Sequence, residues 1–173
     1  SAVIVLDPAN PDQYYVFTAD GVSGSNNHFD GGLLNVNTWN FTPLTGLPST
    51  TGFSPVEKIT AIEHSNGTDY WVFTILQPAP VNTAVGPGTM RIFLVSASGV
   101  THVGDTALDE QIDDHGYMKS SPDGSKIAIA SISRHEIHVY DFDNTSGVLD
   151  VANRTAIPTK DRLTYGIEFS PNS

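Results

Sequence analysis

Hydrophobic residues occur along this chain in short runs that are separated by clusters of turn-forming residues. The run KIAIAS at residues 126–131 follows a Ser-Pro-Asp-Gly turn, and its two isoleucines stand at alternate positions. Alternation of this kind is typical of a β-strand with one buried face. No stretch keeps apolar residues at helical spacing for three turns. The pattern therefore predicts an all-β protein built from many short strands.

The strand pattern repeats along the chain. The segment YYVFT at residues 14–18 returns as YWVFT at residues 70–74, which is 56 residues later. A third copy is SPDGSKIAIAS at residues 121–131, and a fourth begins with a predicted strand at residues 165–170. Such self-similarity divides the segment 1–173 into units at about 1–56, 57–114 and 115–160, followed by the start of a further unit at 161–173.

Each complete unit predicts four strands. They fall at residues 2–6, 14–18, 32–37 and 39–44 in the first unit, at 59–64, 70–76, 91–96 and 100–105 in the second, and at 117–120, 126–131, 136–142 and 149–155 in the third. Four-stranded units at this period are typical of β-propeller blades, so we predict about three antiparallel blades plus the start of another. A β-sandwich is the alternative, because closely spaced hairpins also build sandwiches.

Strand alternation also predicts which side chains are buried. We expect the apolar strand residues to be buried and the residues of the Ser-Pro-Asp-Gly turn to be exposed. The residues expected to be buried are Val16, Val72, Ile92, Leu94, Ile127 and Ile129, and those expected to be exposed are Asp123, Ser125 and Lys126.

The charge of the chain narrows the classes of partner. There are 8 Lys and Arg against 19 Asp and Glu, which gives a net charge of -11, and there is no cysteine. An acidic surface without a Lys/Arg cluster disfavours nucleic acid and anionic membranes. The absence of cysteine excludes disulfides, Cys-ligated zinc and a thiol nucleophile. No apolar run approaches the roughly 18 residues that cross a bilayer, so we expect no membrane insertion.

Three blades do not close a ring, which leads to an expectation about assembly. The first residues already read as a strand and the last as a strand entering a turn, so we interpret the chain as a segment of a longer polypeptide. The end blades would expose apolar sheet faces, which normally find a partner. We therefore expect pairing with the remainder of the parent propeller or with a second copy as a homo-oligomer.

Specific motifs resemble known families. The segments SSPDGSKIAIAS and EIHVYDFDNTSGVL resemble the WD40-like and YVTN-type propellers. The segments DPANPDQYYVFTAD and EKITAIEHSNGTDYWVFT resemble the propeller region of large secreted Bacteroidetes surface proteins of the gliding-motility or type IX secretion kind. The resemblance implies a propeller fold in a secreted or cell-surface protein. It implies little about activity, because one scaffold hosts many functions.

Candidate site residues lie in the predicted connections between units, because ligands commonly meet propellers at loops. These residues are Glu57 and Lys58, then Asp113, Asp114 and His115, and finally Asp161 and Arg162.

Asp113, Asp114 and His115 form the most concentrated polar cluster. Carboxylates beside an imidazole suit a divalent metal or acid/base chemistry, while a solvated acidic loop is the simpler interpretation. The segment at residues 141–147 resembles a calcium loop only weakly, because its glycine falls at the wrong position. We therefore expect no cofactor, with a divalent cation such as calcium as the weaker alternative.

Two functions from different classes follow from these observations. The leading hypothesis is a non-enzymatic binding, adhesion or assembly module with a glycan or protein ligand. The alternative is a fragment of a propeller-type hydrolase or lyase, with the acidic and histidine residues at the channel mouth. Convergence of the candidate residues at one place would favour a functional site over separate solvated loops.

Overall fold

The computed structural model describes residues 1–20, 28–78, 87–110, 112–160 and 163–172. It contains twelve strands in these ranges: β1 Ala2–Asp7, β2 Asn10–Ala19, β3 Phe29–Asn35, β4 Asn40–Pro43, β5 Phe53–Glu63, β6 Tyr70–Pro78, β7 Thr89–Ser96, β8 Gly99–Ala107, β9 Met118–Ser120, β10 Lys126–Ser131, β11 Glu136–Asp143 and β12 Val148–Pro158. Within the described ranges, no helix has the length and apolar content needed to span a bilayer.

The strands form three antiparallel sheets of four strands each, and every sheet runs in chain order. We call them blade 1 (β1–β4), blade 2 (β5–β8) and blade 3 (β9–β12). The first strands approach one another, β1 against β5 and β5 against β9. This is the arrangement of successive β-propeller blades around an axis, as predicted. The sandwich alternative is wrong, because blade 2 packs on both of its faces.

The core consists of two apolar layers between successive blades. Between blades 1 and 2, the ring centroids of Phe29 and Phe93 are stacked 5.1 Å apart. Between blades 2 and 3, the rings of Trp71 and Phe73 meet Phe142 edge-on, at 6.0 and 5.0 Å. Aromatic pairs of this geometry add to the free energy of area burial. Each blade therefore holds its neighbour through the alternating residues of its central strands.

Most of the predicted burial is confirmed. Ile127, Ile129, Val72 and Ile92 are buried, and Lys126 and Asp123 are exposed. Three residues differ and are only half-buried, namely Val16, Leu94 and Ser125. Val16 lies on the outer face of blade 1, which no neighbouring blade covers. Leu94 lies near the end of β7, and the Ser125 hydroxyl is drawn into hydrogen bonds with Asp123.

Four of the predicted strands need correction. The strand predicted at residues 32–37 runs from Phe29 to Asn35, and the one predicted at 59–64 runs from Phe53 to Glu63. The last strand of blade 1 begins at Asn40, because Trp39 adopts a positive φ of 55° in the preceding turn. The strand predicted at residues 165–170 is absent from the structure. A strand requires a hydrogen-bonded ladder, and no second strand in the described ranges pairs with this segment. It instead runs beside blade 3, where the N–H of Tyr117 donates to the carbonyl of Tyr165 at 2.8 Å.

Candidate functional site

A cavity of about 340 Å³ opens between the first strands of the three blades. Its lining consists of residues 1–3, 59–60 and 117–119. Polar and aromatic groups belong to the same region, because Glu57 lies two residues before Ile59 and His115 lies two residues before Tyr117. The cavity thus lies where the first strands of all three blades come together.

The structure brings five of the predicted site residues together. Glu57 and Lys58 were predicted in a connection between units, but they lie within β5, because the β5–β6 ladder extends back to Phe53. Asp113, Asp114 and His115 lie on the connection from β8 to β9, as predicted. The backbone N–H of Glu57 donates to the carbonyl of Asp114 at 3.0 Å, which joins the two segments. Asp161 and Arg162 lie outside the described residues.

Asp113 serves the structure of the loop. Its Oδ2 accepts hydrogen bonds from the Ser131 hydroxyl and from the Ser133 backbone N–H, both at 3.1 Å. Burial opposes ionisation of Asp113, but the hydrogen bonds from Ser133 and Ser131 outweigh it and hold the pKa of this carboxyl below its usual range. The carboxylate therefore fastens the β8–β9 connection to blade 3.

Asp114 and His115 form a pair at the surface. The Asp114 Oδ1 lies 2.6 Å from the His115 Nδ1, and the imidazole is 47% exposed. A carboxylate at Nδ1 orients the ring and turns Nε2 away, as in many acid/base sites. This pair is the part of the predicted cluster whose imidazole is open to solvent.

The metal hypothesis finds no geometric support in the described part of the chain. There, no three His, Asp or Glu side chains come together as a metal ion would require. The weak calcium motif is a hairpin turn between β11 and β12. In it, Asp143 already accepts hydrogen bonds from the Thr145 N–H and the Ser146 hydroxyl.

Two exposed tyrosines complete the rim and were not among the predicted site residues. The rings of Tyr117 and Tyr165 lie 5.5 Å apart and are tilted by 57°. These side chains remain 42% and 44% exposed. The Tyr165 hydroxyl donates to the Glu57 carboxylate at 2.7 Å, and this hydrogen bond raises the pKa of the phenol. We define the channel-mouth site as Glu57, Asp114, His115, Tyr117 and Tyr165.

The repeat pattern contained a signal for these tyrosines. Tyr117 precedes the first strand of blade 3, and Tyr165 occupies the equivalent place in the next repeat. The pattern predicts both residues as the first of a strand, and it predicts inter-blade packing for the aromatic pairs at residues 14–15 and 70–71. Tyr15 and Trp71 do pack there and are buried.

Lys58 lies directly beneath the site and is fully buried. The ladder between β5 and β6 shifts register between Pro55 and Ile59. A register shift of this kind changes the direction in which a side chain points, and here the side chain of Lys58 points into the protein interior. The Lys58 Nζ donates to the carbonyls of His115 and Gly116. Burial lowers the pKa of Lys58 to about 8, although Asp113, Glu57 and Asp114 act to raise it.

The remaining charged residues of the β8–β9 connection have a structural role. The Arg154 guanidinium on β12 bonds Asp109 at 2.8 Å and Glu110 at 3.0 Å. Tyr140 donates to the same Asp109 at 3.2 Å. His138 is fully buried on the face of blade 3 that meets blade 2, with its Nε2 3.2 Å from Glu136. The contacts of Asp109 and Glu110 therefore join the β8–β9 connection to blade 3.

Comparison with known proteins supports the fold and does not supply a family. No protein-family model matches the chain, and no curated protein matches it. A solved GH43 β-1,3-galactosidase superposes with a TM-score of 0.56 at 11% identity, over 90% of this chain and 34% of that one. At this identity the likeness shows a propeller-like fold alone.

Two further solved structures superpose less closely. A candidate 6-phosphogluconolactonase of Bacteroides fragilis gives a TM-score of 0.49 at 11% identity, over 91% of this chain and 39% of that one. A luciferin-regenerating enzyme also gives 0.49 at 11% identity, over 88% of this chain and 45% of that one. The chain thus spans less than half the length of each of these proteins.

Proposed function

We propose that this chain is a non-enzymatic binding module of a secreted or cell-surface protein, and that it binds a glycan at the channel-mouth site. One observation carries the proposal: the exposed rings of Tyr117, which lines the cavity, and Tyr165 lie together, and the Tyr165 hydroxyl donates to Glu57. The Asp114–His115 pair lies on the connection that a backbone hydrogen bond joins to Glu57. Binding sites typically combine aromatic surface with a few convergent polar groups.

The chemistry of the rim suits a sugar. A tyrosine ring offers an apolar face to the C–H face of a pyranose while its hydroxyl stays in water. Glu57 and Asp114 supply acceptors for sugar hydroxyl groups, and His115 Nε2 supplies a further polar partner. The net charge of -11 disfavours anionic saccharides, so we expect the ligand to be neutral.

A propeller-type hydrolase is the second candidate, and the Asp114–His115 contact favours it. A carboxylate 2.6 Å from Nδ1 is an arrangement that also serves general acid/base catalysis. The two proposals differ in what happens to the ligand: a hydrolase cleaves it, whereas a binding module releases it unchanged.

Binding to a panel of neutral galacto-, gluco-, xylo- and manno-oligosaccharides tests the proposal by calorimetry. We expect Tyr117→Ala to weaken the affinity by about tenfold or more, because truncating a contacting aromatic commonly costs over 1 kcal/mol. Trp39→Ala is the matched control, because Trp39 is 76% exposed in a turn of blade 1 and should leave binding unchanged.

The outcomes separate the candidates. Binding with recovery of intact saccharide supports the binding module. Cleavage that His115→Ala abolishes would replace the module with the hydrolase. Equal affinity of the Tyr117 and Trp39 variants would show that the ligand does not bind at the channel-mouth site. Binding of a protein instead of a glycan would contradict the proposed ligand class.

A further inference from the structure

A single buried ammonium touches the backbone that carries most of the channel-mouth site. The Lys58 Nζ donates to two consecutive carbonyls, those of His115 and Gly116. The first of these belongs to a site residue, and the second directly precedes Tyr117. Because a charged donor makes stronger hydrogen bonds than a neutral one, this contact restrains the loop firmly.

Gly116 shows how closely these parts are packed. Its φ of +98° is a conformation that glycine adopts readily and other residues rarely do. A Cβ at this position would meet the Tyr165 carbonyl oxygen at 3.3 Å and the Lys58 Nζ at 3.4 Å. The ammonium, the loop and the segment bearing Tyr165 are therefore in contact through one glycine.

The surroundings of the ammonium are acidic on two sides. Glu57 lies next to it on β5, and Asp113 and Asp114 lie on the β8–β9 connection beside His115. The neighbouring strand β6 contributes the neutral Thr74, whose hydroxyl donates to the Lys58 backbone carbonyl at 3.3 Å. Tyr165 faces the same region and is bound to Glu57.

We infer that Lys58 is a positioning residue for the channel-mouth site: its ammonium holds residues 115–117 in the geometry that presents His115 and Tyr117 to the ligand. The identity of the ligand rests on the proposed function, whereas the role of Lys58 rests on its observed contacts with residues 115 and 116. A lysine of this kind contacts no ligand itself, since it is fully buried.

Loss of the proton from Lys58 should loosen the site. Burial lowers the pKa of Lys58 to about 8, so the amine becomes neutral in a mildly alkaline range where an exposed lysine stays charged. The neutral amine still donates hydrogen bonds to the two carbonyls but no longer attracts the three carboxylates. Ligand affinity is thus expected to fall as the pH rises through 8.

Two-dimensional amide NMR of the 173-residue chain tests the inference without any ligand. Between pH 7 and 9.5, we expect the wild-type amides of His115, Gly116 and Tyr117 to shift with a midpoint near 8. In Lys58→Met, they should not show this step, and they should already differ from wild type at pH 7, because both hydrogen bonds from the side chain are lost. Lys58→Arg, which keeps the charge, should retain the neutral-pH positions. Lys126→Met removes an exposed lysine and serves as the matched control.

Affinity for the tightest-binding member of the oligosaccharide panel gives a second measurement. We expect an approximately tenfold loss in Lys58→Met at pH 7, and a smaller loss in wild type between pH 7 and 9.5, where both hydrogen bonds persist. Identical amide spectra of wild type and Lys58→Met around residues 115–117, or no step in wild type, would overturn the inference. The wild-type series remains decisive if Lys58→Met does not fold. A normal amide step without saccharide binding would support the role of Lys58 and reject the glycan proposal.

Discussion

At the residue scale, Gly147 leaves the space that blades 2 and 3 need to pack closely. Gly147 ends the turn between β11 and β12 with a φ of +76°. A Cβ at this position would lie 2.6 Å from the Trp71 ring. The Trp71 Nε1 in turn donates to the carbonyl of Asn144 at 3.0 Å. Gly147 is therefore required both for its backbone conformation and for the space that the tryptophan occupies.

We expect Gly147→Ala to lower the free energy of unfolding by more than Gly46→Ala does. Gly46 has a similar φ of +83°, but nothing lies within 4 Å of its Cβ position. The left-handed conformation alone costs about 1–2 kcal/mol, and the Gly147 variant must also displace the Trp71 ring. Urea unfolding of both variants measures the difference, and equal losses would mean that the ring moves without cost.

At the element scale, an ion pair joins the outer half of blade 2 to the connection that precedes it. Arg91 on β7 is buried and forms two hydrogen bonds with Asp105 on β8, at 2.9 and 2.8 Å. Its Nη1 also donates to the carbonyls of Pro48 and Ser49. One guanidinium thus fastens the β4–β5 connection onto the blade, where a bidentate pair is the strongest available geometry.

Replacing the acidic partner should leave a buried cation without compensation. We expect Asp105→Asn to lower the free energy of unfolding by about 1–3 kcal/mol at pH 7. Asp141→Asn breaks an ion pair with Lys126 that is exposed on both sides, and should cost less than about 1 kcal/mol. Urea unfolding at pH 7 compares the two variants.

The same pair makes stability depend on pH in a defined direction. The hydrogen bond from Arg91 lowers the pKa of Asp105. A carboxyl with a lowered folded-state pKa stabilises the fold above its unfolded value near 4, and this contribution is lost as the pH falls further. The difference between wild type and Asp105→Asn should therefore shrink below pH 4. If the difference in unfolding free energy between wild type and Asp105→Asn stayed constant down to pH 2, ionisation of Asp105 would not be the cause of the pH dependence.

At the scale of the whole molecule, the arc exposes apolar surface on the outer faces of both end blades. On blade 1, register pairs Leu6 with Tyr14, Tyr14 with Leu34 and Leu34 with Phe41 across all four strands. On blade 3, the corresponding face carries Ile137, Val139 and Ile157, and the segment with Ile167 and Phe169 lies over part of it. Like the faces that pack between blades inside the molecule, these outer faces carry aliphatic and aromatic side chains.

Pairing with a second copy therefore stays a prediction for the 173-residue chain. Light scattering after size-exclusion chromatography should give about twice the chain mass of 18.5 kDa. Ile4→Lys should restore the monomer, because Ile4 is 62% exposed on the outer face of blade 1. Val103→Lys is the control, since Val103 is exposed on the outer strand β8 instead. A wild-type monomer at all concentrations would contradict this assembly.

Much of the architecture could be predicted from the sequence, because strands and tight turns depend on local patterns. The period-2 alternation in KIAIAS located β10 without error, and the recurrence of YYVFT as YWVFT identified two equivalent second strands. The repeat period indicated blades instead of a sandwich. The predicted strand at residues 165–170 was wrong because a strand also needs a ladder partner, which no local pattern supplies.

The channel-mouth site was decided only partly by sequence. The sequence predicted Glu57, Lys58 and the residues 113–115 in connections between units; the structure places the first two in β5 and the others in a connection, and brings the two segments into contact. The contact between Tyr117 and Tyr165, and the hydrogen bond from Tyr165 to Glu57, join residues 48 and 108 positions apart. Local sequence determines which residues form strands and turns, whereas the stacking of blades decides which distant side chains meet. The burial of Lys58 belongs to the second kind, because it depends on a register shift in β5 and on a loop from the far side of blade 2.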